Sequence, residues 1–119
     1  MKIRTSELTG AALDWAVAKC IGHRVAANYG SYIRIYLPDP KQSGYTLAFC
    51  PSTDWALGGP IIERENIGLW SEGYDWEAKI NSSGQWLAEW DEYPLIAAMR
   101  CYVASKMGDE VEIPEELTK

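Results

Sequence analysis

Apolar positions along the chain switch between helical and strand spacing, and each switch predicts an element. After a short strand or tail at Met1–Arg4, Leu13, Ala16, Val17 and Cys20 fall at i, i+3, i+4 and i+7. That is the buried stripe of a helix running from a Thr9 N-cap to about Cys20, with Gly22 placed to stop it. Trp15 lies off the stripe. Spacing turns to alternation at Ser31–Leu37, where Ile33, Ile35 and Leu37 face one way and Tyr32, Arg34 and Tyr36 the other. The loop Pro38–Gly44 and the return run Tyr45–Phe49 complete a hairpin, and the connector His23–Gly30 has room for another short strand.

The clearest alternation comes later. Trp76, Ala78 and Ile80 alternate with Asp75, Glu77 and Lys79, and Trp86, Ala88 and Trp90 with Gln85, Leu87 and Glu89. Between them Asn81-Ser82-Ser83-Gly84 reads as a type I turn with glycine in the left-handed position. That loop pairs Asn81 with Gln85, Ile80 with Trp86, Ala78 with Ala88 and Trp76 with Trp90. The register gathers the three tryptophans on one face and leaves Glu77, Lys79, Leu87 and Glu89 on the other. Leu69–Trp70 opens a strand before this hairpin, with a turn at Ser71–Tyr74. The last helix starts at Pro94, runs to about Met107 and stops at Gly108. Its apolar stripe is Leu95, Ile96, Met99, Tyr102, Val103 and Met107, and Ala97, Cys101 and Ala104 let it lie close on a sheet. The predicted fold is α+β, a mainly antiparallel sheet of four or five strands packed by two main helices plus one short helix. Residues 1–119 form a single domain whose acidic tail, about 109–119, lies at the periphery with Val111 and Ile113 as pins.

Cys50–Leu69 concentrates residues with special demands. Pro51 ends a strand, and Ser52, Thr53 and Asp54 suit a tight turn over Asp54–Leu57. Gly58-Gly59 frees the backbone, and Pro60 suits the first position of a short helix over Ile61–Asn66, closed by Gly68. A glycine pair before a helix bares N–H groups, which is an anion-binding arrangement, although the lysine and spacing of a phosphate-binding loop are missing. The plainer explanation is a helix entry whose glycines permit tight packing against Trp55. Asp54, Glu63 and Glu65 offer carboxylates for acid–base work or a hard metal ion, but no spacing forces that use. Tyr32, Arg34 and Tyr36 offer an aromatic and cationic face whose plainer role is solvation. Arg100, a charge in a nearly apolar helix, requires an acid such as Asp54 or Glu63, or a ligand.

Composition narrows the functional classes. With 47% hydrophobic and 24% charged residues the chain has the makings of a folded core. A net charge of −6 disfavours duplex nucleic acid. Three cysteines without CxxC spacing and a single histidine, His23, favour reduced packing thiols over a zinc site or a disulfide framework. No apolar run reaches the ~20 residues of a membrane span, and MKIRTSEL lacks a signal-peptide pattern. Six tryptophans against one phenylalanine suit a binding surface as well as a core. No nucleophile–base pair stands out.

Three segments carry a family resemblance: KIRTSELTGAALDWAVAK, PSTDWALGGPIIERE and PLIAAMRCYVASKMGDEVEIPEEL. They resemble the NinX-like proteins of tailed bacteriophages and prophages. The resemblance implies a phage accessory protein working in the bacterial cytoplasm, transfers no catalytic residue, and marks Ser52–Glu63 as the signature stretch. The leading expectation is a non-enzymatic binder, without cofactor or metal, of a small anionic, nucleotide-like ligand such as a host defence signal. Its pocket would use Thr53, Asp54, Trp55, Gly58, Gly59, Pro60, Glu63, Arg64 and Arg100. The alternative is a protein–protein inhibitor of a host factor acting through an aromatic patch, and a third is a small metal-dependent hydrolase using Asp54 and Glu63. Self-association into a homo-oligomer is expected in either binding role.

Overall fold

A computed structural model describes residues 1–42 and 44–118. In chain order the elements are β1 (Lys2–Arg4), α1 (Gly10–Ile21), β2 (Val25–Asn28), β3 (Ile33–Tyr36), β4 (Thr46–Phe49), α2 (Trp55–Glu65), β5 (Gly68–Ser71), β6 (Trp76–Ser82), β7 (Gln85–Asp91), α3 (Pro94–Met107) and β8 (Glu110–Glu112). The fold is α+β, but the single sheet of four or five strands is replaced by three small antiparallel sheets, β1–β8, β2–β3–β4 and β5–β6–β7. Each three-stranded sheet is a meander of local hairpins. Pro51 ends β4, and α2 then carries the chain away before β5 begins, so the two meanders never join.

Helix α3 organises the molecule. Leu95, Ala97, Ala98, Met99, Cys101, Tyr102 and Val103 are all buried. It packs against β6, β7, α1 and α2, while α1 also packs against β3. The core therefore runs between the two meanders, from Ile33, Ile35 and Phe49 through Leu13, Ala16 and Val17 to Met99, Val103, Ala78 and Ile80. The predicted stripe of α1 is buried at Leu13, Ala16 and Val17, and only partly at Cys20. Gly22 closes the helix in the left-handed region at φ 94°. Trp15 stays at the helix edge with Lys19 Nζ 5.4 Å from its ring centroid.

The acidic tail is structural rather than peripheral. Strand β8 pairs with β1 through Ile3 and Val111. Val111, Ile113 and Leu117 are buried, and Thr5 Oγ1 donates to the Gly108 carbonyl at 2.6 Å. The expected pins, Val111 and Ile113, are buried, and β8 is a strand beyond the expected elements.

The β6–β7 register is shifted by one residue from expectation. Ser82 pairs with Gln85, Asn81 with Trp86, Ile80 with Leu87, Ala78 with Glu89 and Trp76 with Asp91. The loop is the two-residue turn Ser83-Gly84, both with positive φ (53° and 85°), the twist that suits a tight hairpin. Such a slip moves every side chain of one strand to the other face. Trp86 and Trp90 consequently point away from α3, while Leu87, Glu89 and Asp91 share the inner side with Trp76, Ala78 and Ile80. The physical reason lies in α3. Cys101 Sγ approaches the carbonyl oxygens of both Ala78 and Leu87 to 3.5 Å, a spacing with no room for two more indoles.

Candidate functional site

The signature stretch folds as a longer helix than its glycines and proline predict. Asp54 is the N-cap, and its Oδ1 accepts from the Ala56 N–H at 2.9 Å. Helix α2 therefore starts at Trp55, places Pro60 at its sixth position, and ends at Asn66 in the left-handed region with φ 54°. An aspartate cap satisfies an otherwise orphaned N–H and favours the helix dipole, which outweighs the low propensity of Gly58 and Gly59. The expected bare N–H groups at Gly58–Ile61 are then helix-interior groups. The Gly58 N–H already donates to the Asp54 carbonyl at 2.9 Å. Gly58 serves packing instead: a Cβ there would meet the Pro51 carbonyl oxygen at 2.5 Å and Leu95 Cδ2 at 2.7 Å. Gly59 is roomier, with Trp55 Cε3 at 4.0 Å.

The other residues expected of this pocket are dispersed. Thr53 and Trp55, with Ser52, Tyr93, Pro94, Leu95 and Ile96, line a hollow of about 340 Å³. Pro60 and Glu63 are exposed on α2. Arg64 donates to Glu65 Oε2 at 3.0 Å. Asp54 and Glu63 lie nine residues apart, about 13 Å along the helix axis, too far to share one metal ion. Among the described residues no cluster of three or more His, Cys, Asp or Glu could hold a metal.

Arg100 is buried and answers neither Asp54 nor Glu63. Its Nε donates to the Leu8 carbonyl at 2.8 Å, and its Nη1 to the Trp90 carbonyl at 3.1 Å and Asp91 Oδ1 at 3.0 Å. The shifted register explains this choice, because it turns Glu89 and Asp91 inward. Burial pushes the Glu89 carboxyl up, and Arg100 pulls it back down. The guanidinium thus ties α3 to the end of β7 and to the chain before α1.

Asp14 is a functional-looking residue that helical spacing concealed. It is buried on α1, and its Oδ1 accepts the Ser52 N–H at 2.9 Å. Burial raises its pKa from 3.8 to about 6, against the lowering effect of the Ser52 backbone. The Ser52 hydroxyl lies near enough to lower it further, yet has no hydrogen bond of proper geometry. Because the folded pKa lies above the unfolded one, the stability linked to protonated Asp14 is complete below about pH 4. It is lost as pH rises through about 6. Asp14→Asn should keep the Ser52 contact and stabilise the protein at pH 7 by on the order of 2 kcal/mol. Denaturation midpoints at pH 4 and pH 7 check this: the variant should flatten the fall seen in the parent.

The strongest surface feature is on the outer side of β5–β6–β7. Trp70, Trp86 and Trp90 are 63%, 66% and 55% exposed. Paired positions run Trp70–Glu77–Trp90 across the three strands, and Gly68–Lys79–Ala88 forms the next row. Tyr74, on the β5–β6 turn, is 90% exposed. Exposed indoles grouped on one sheet face are uncommon unless something covers them. The tryptophan surplus signalled such a surface, but the assumed register hid which indoles compose it.

Residues 4–106 match the model of a protein family described as "Bacteriophage P22, NinX". No curated protein matches the chain.

Proposed function

The chain belongs to the NinX family of bacteriophage P22, and we propose that this phage accessory protein acts in the host cytoplasm by binding a host polypeptide rather than by catalysis. The observation that carries this reading is the outer face of β5–β6–β7, where Trp70, Trp86 and Trp90 stand exposed together. Tryptophan is the residue most enriched among interface anchors, since its large rigid surface gains much from desolvation. None of these side chains belongs to the buried core. Trp86→Ala and Trp90→Ala should therefore leave the melting temperature nearly unchanged, within about 0.5 kcal/mol of stability. The test is native mass spectrometry of the protein purified from a bacterial lysate. A host polypeptide held in fixed stoichiometry by the parent and lost from the folded Trp86→Ala/Trp90→Ala variant supports the reading. A homodimer that dissociates in the same variant would mean that a second copy covers the face. Retention of the host polypeptide by the variant would move the interface elsewhere.

A second reading keeps a small anionic, nucleotide-like ligand, seated in the hollow lined by Thr53, Trp55 and the start of α3. The N-cap of α3, Tyr93, makes no side-chain cap bond, which leaves the first turn of that helix free to meet an anion. Asp54 at the neighbouring helix start opposes it. A stoichiometric mass shift with cyclic dinucleotides or ADP-ribose derivatives, abolished by Thr53→Asp, would favour this reading over the first.

A further inference from the structure

The row Trp70–Glu77–Trp90 is more than an apolar patch. Adjacent strands lie about 4.8 Å apart, so the two indoles rise from points about 10 Å apart with a carboxylate between them. Glu77 is flanked closely enough that its side chain is only 24% exposed. The β5–β6 turn adds a rim, in which Ser71 Oγ accepts the Gly73 N–H at 3.2 Å. The resulting cleft has a volume of about 240 Å³ and is lined by Trp70, Glu72, Tyr74, Asp75, Glu77 and Trp90. Aromatic faces attract cations through their quadrupole, and carboxylates attract them by charge. An anion would meet three carboxylates here. The cation nearest on this face, Lys79, sits with Nζ 3.7 Å from Glu77 Oε1 and half exposed. That pair is long and readily displaced.

We propose that this cleft receives an arginine side chain from a basic segment of a partner polypeptide. A guanidinium is planar, stacks between aromatic walls, and presents a fork of N–H donors that matches the Glu77 carboxylate. A lysine ammonium fits the charge but has neither the planar face for stacking nor the fork of donors. The net charge of −6 draws the same kind of partner. This assignment rests on the binding face proposed above and names what that face recognises.

The experiment uses the full chain and a capped peptide carrying three arginines spaced by glycine, followed by NMR of the indole N–H groups. Three further peptides or variants complete it: the citrulline peptide, the lysine peptide and the Glu77→Gln protein. The arginine peptide should shift the Trp70 and Trp90 signals and leave Trp15 in place. Citrulline, which keeps the shape and loses the charge, should bind at least about tenfold more weakly, as should the arginine peptide to Glu77→Gln. Tyr45→Ala, just before β4 of the other three-stranded sheet, should bind like the parent. Equal binding of the citrulline or lysine peptide, or an unchanged affinity in Glu77→Gln, overturns the assignment. The two proposals separate in the lysate experiment. A host polypeptide lost by Trp90→Ala but kept by Glu77→Gln leaves the binding face standing and removes the arginine.

Discussion

Arg100→Met is expected to destabilise the protein by roughly 3–5 kcal/mol, the range for breaking a buried ion pair from one side. The mutation leaves the Leu8 and Trp90 carbonyls without their donor, and leaves Asp91 facing an apolar side chain. Two inward acids, Glu89 and Asp91, then share the space beside α3 with no compensating charge. Arg100→Lys should recover little, because one ammonium cannot reach three acceptors arranged around a planar fork. Asp91→Asn should be milder, since Asp91 is partly exposed and an amide oxygen can still accept from Arg100. Urea denaturation of the three variants checks the order. A Lys variant as stable as the parent would show that charge alone, rather than the fork, ties these segments.

Gly58→Ala should remove about 3 kcal/mol, near the upper end for overpacking. Of the two atoms that its methyl would meet, the backbone one is held firmly. One is the Pro51 carbonyl oxygen at 2.5 Å, part of a buried backbone, and the other is Leu95 Cδ2 at 2.7 Å, on buried α3. Helix α2 would have to move off its support. Gly59→Ala is the control within the same helix. Its methyl meets only Trp55 Cε3 at 4.0 Å, so the gain in helix propensity, about 1 kcal/mol, should show as a small stabilisation. Thermal melts of the two variants should therefore move in opposite directions, Gly58→Ala downward by about 12 °C. Equal shifts would mean that α2 packs more loosely than these distances require.

This pair of glycines also shows how far a sequence reading reaches. Gly58-Gly59-Pro60 has the local chemistry of a helix entry, and nothing local distinguishes that from a glycine needed for close approach. The distinction is made by Pro51 and Leu95, one several residues earlier and one far along the chain. Likewise, Asn81-Ser82-Ser83-Gly84 is compatible with a four-residue and a two-residue turn. The small residues of α3 and the charge of Arg100 decide between them, by demanding Leu87 and two acids on the inner face. The proposed binding face follows from that decision, because it turns Trp86 and Trp90 outward.

Periodicity and caps alone determined the positions of α1 and α3, the Ile33/Ile35 strand and the existence of the β6–β7 hairpin. Those features rest on local spacing, which the chain carries in itself. The family followed from contiguous motifs, and a match over residues 4–106 shows it. Only the tertiary structure decided that the strands divide into three sheets, that α2 begins at Trp55, and that Arg100 pairs with Asp91. It also decided which tryptophans face outward. Each of these depends on which distant surfaces meet across the core, and a one-residue change in pairing reverses the answer without altering any local propensity.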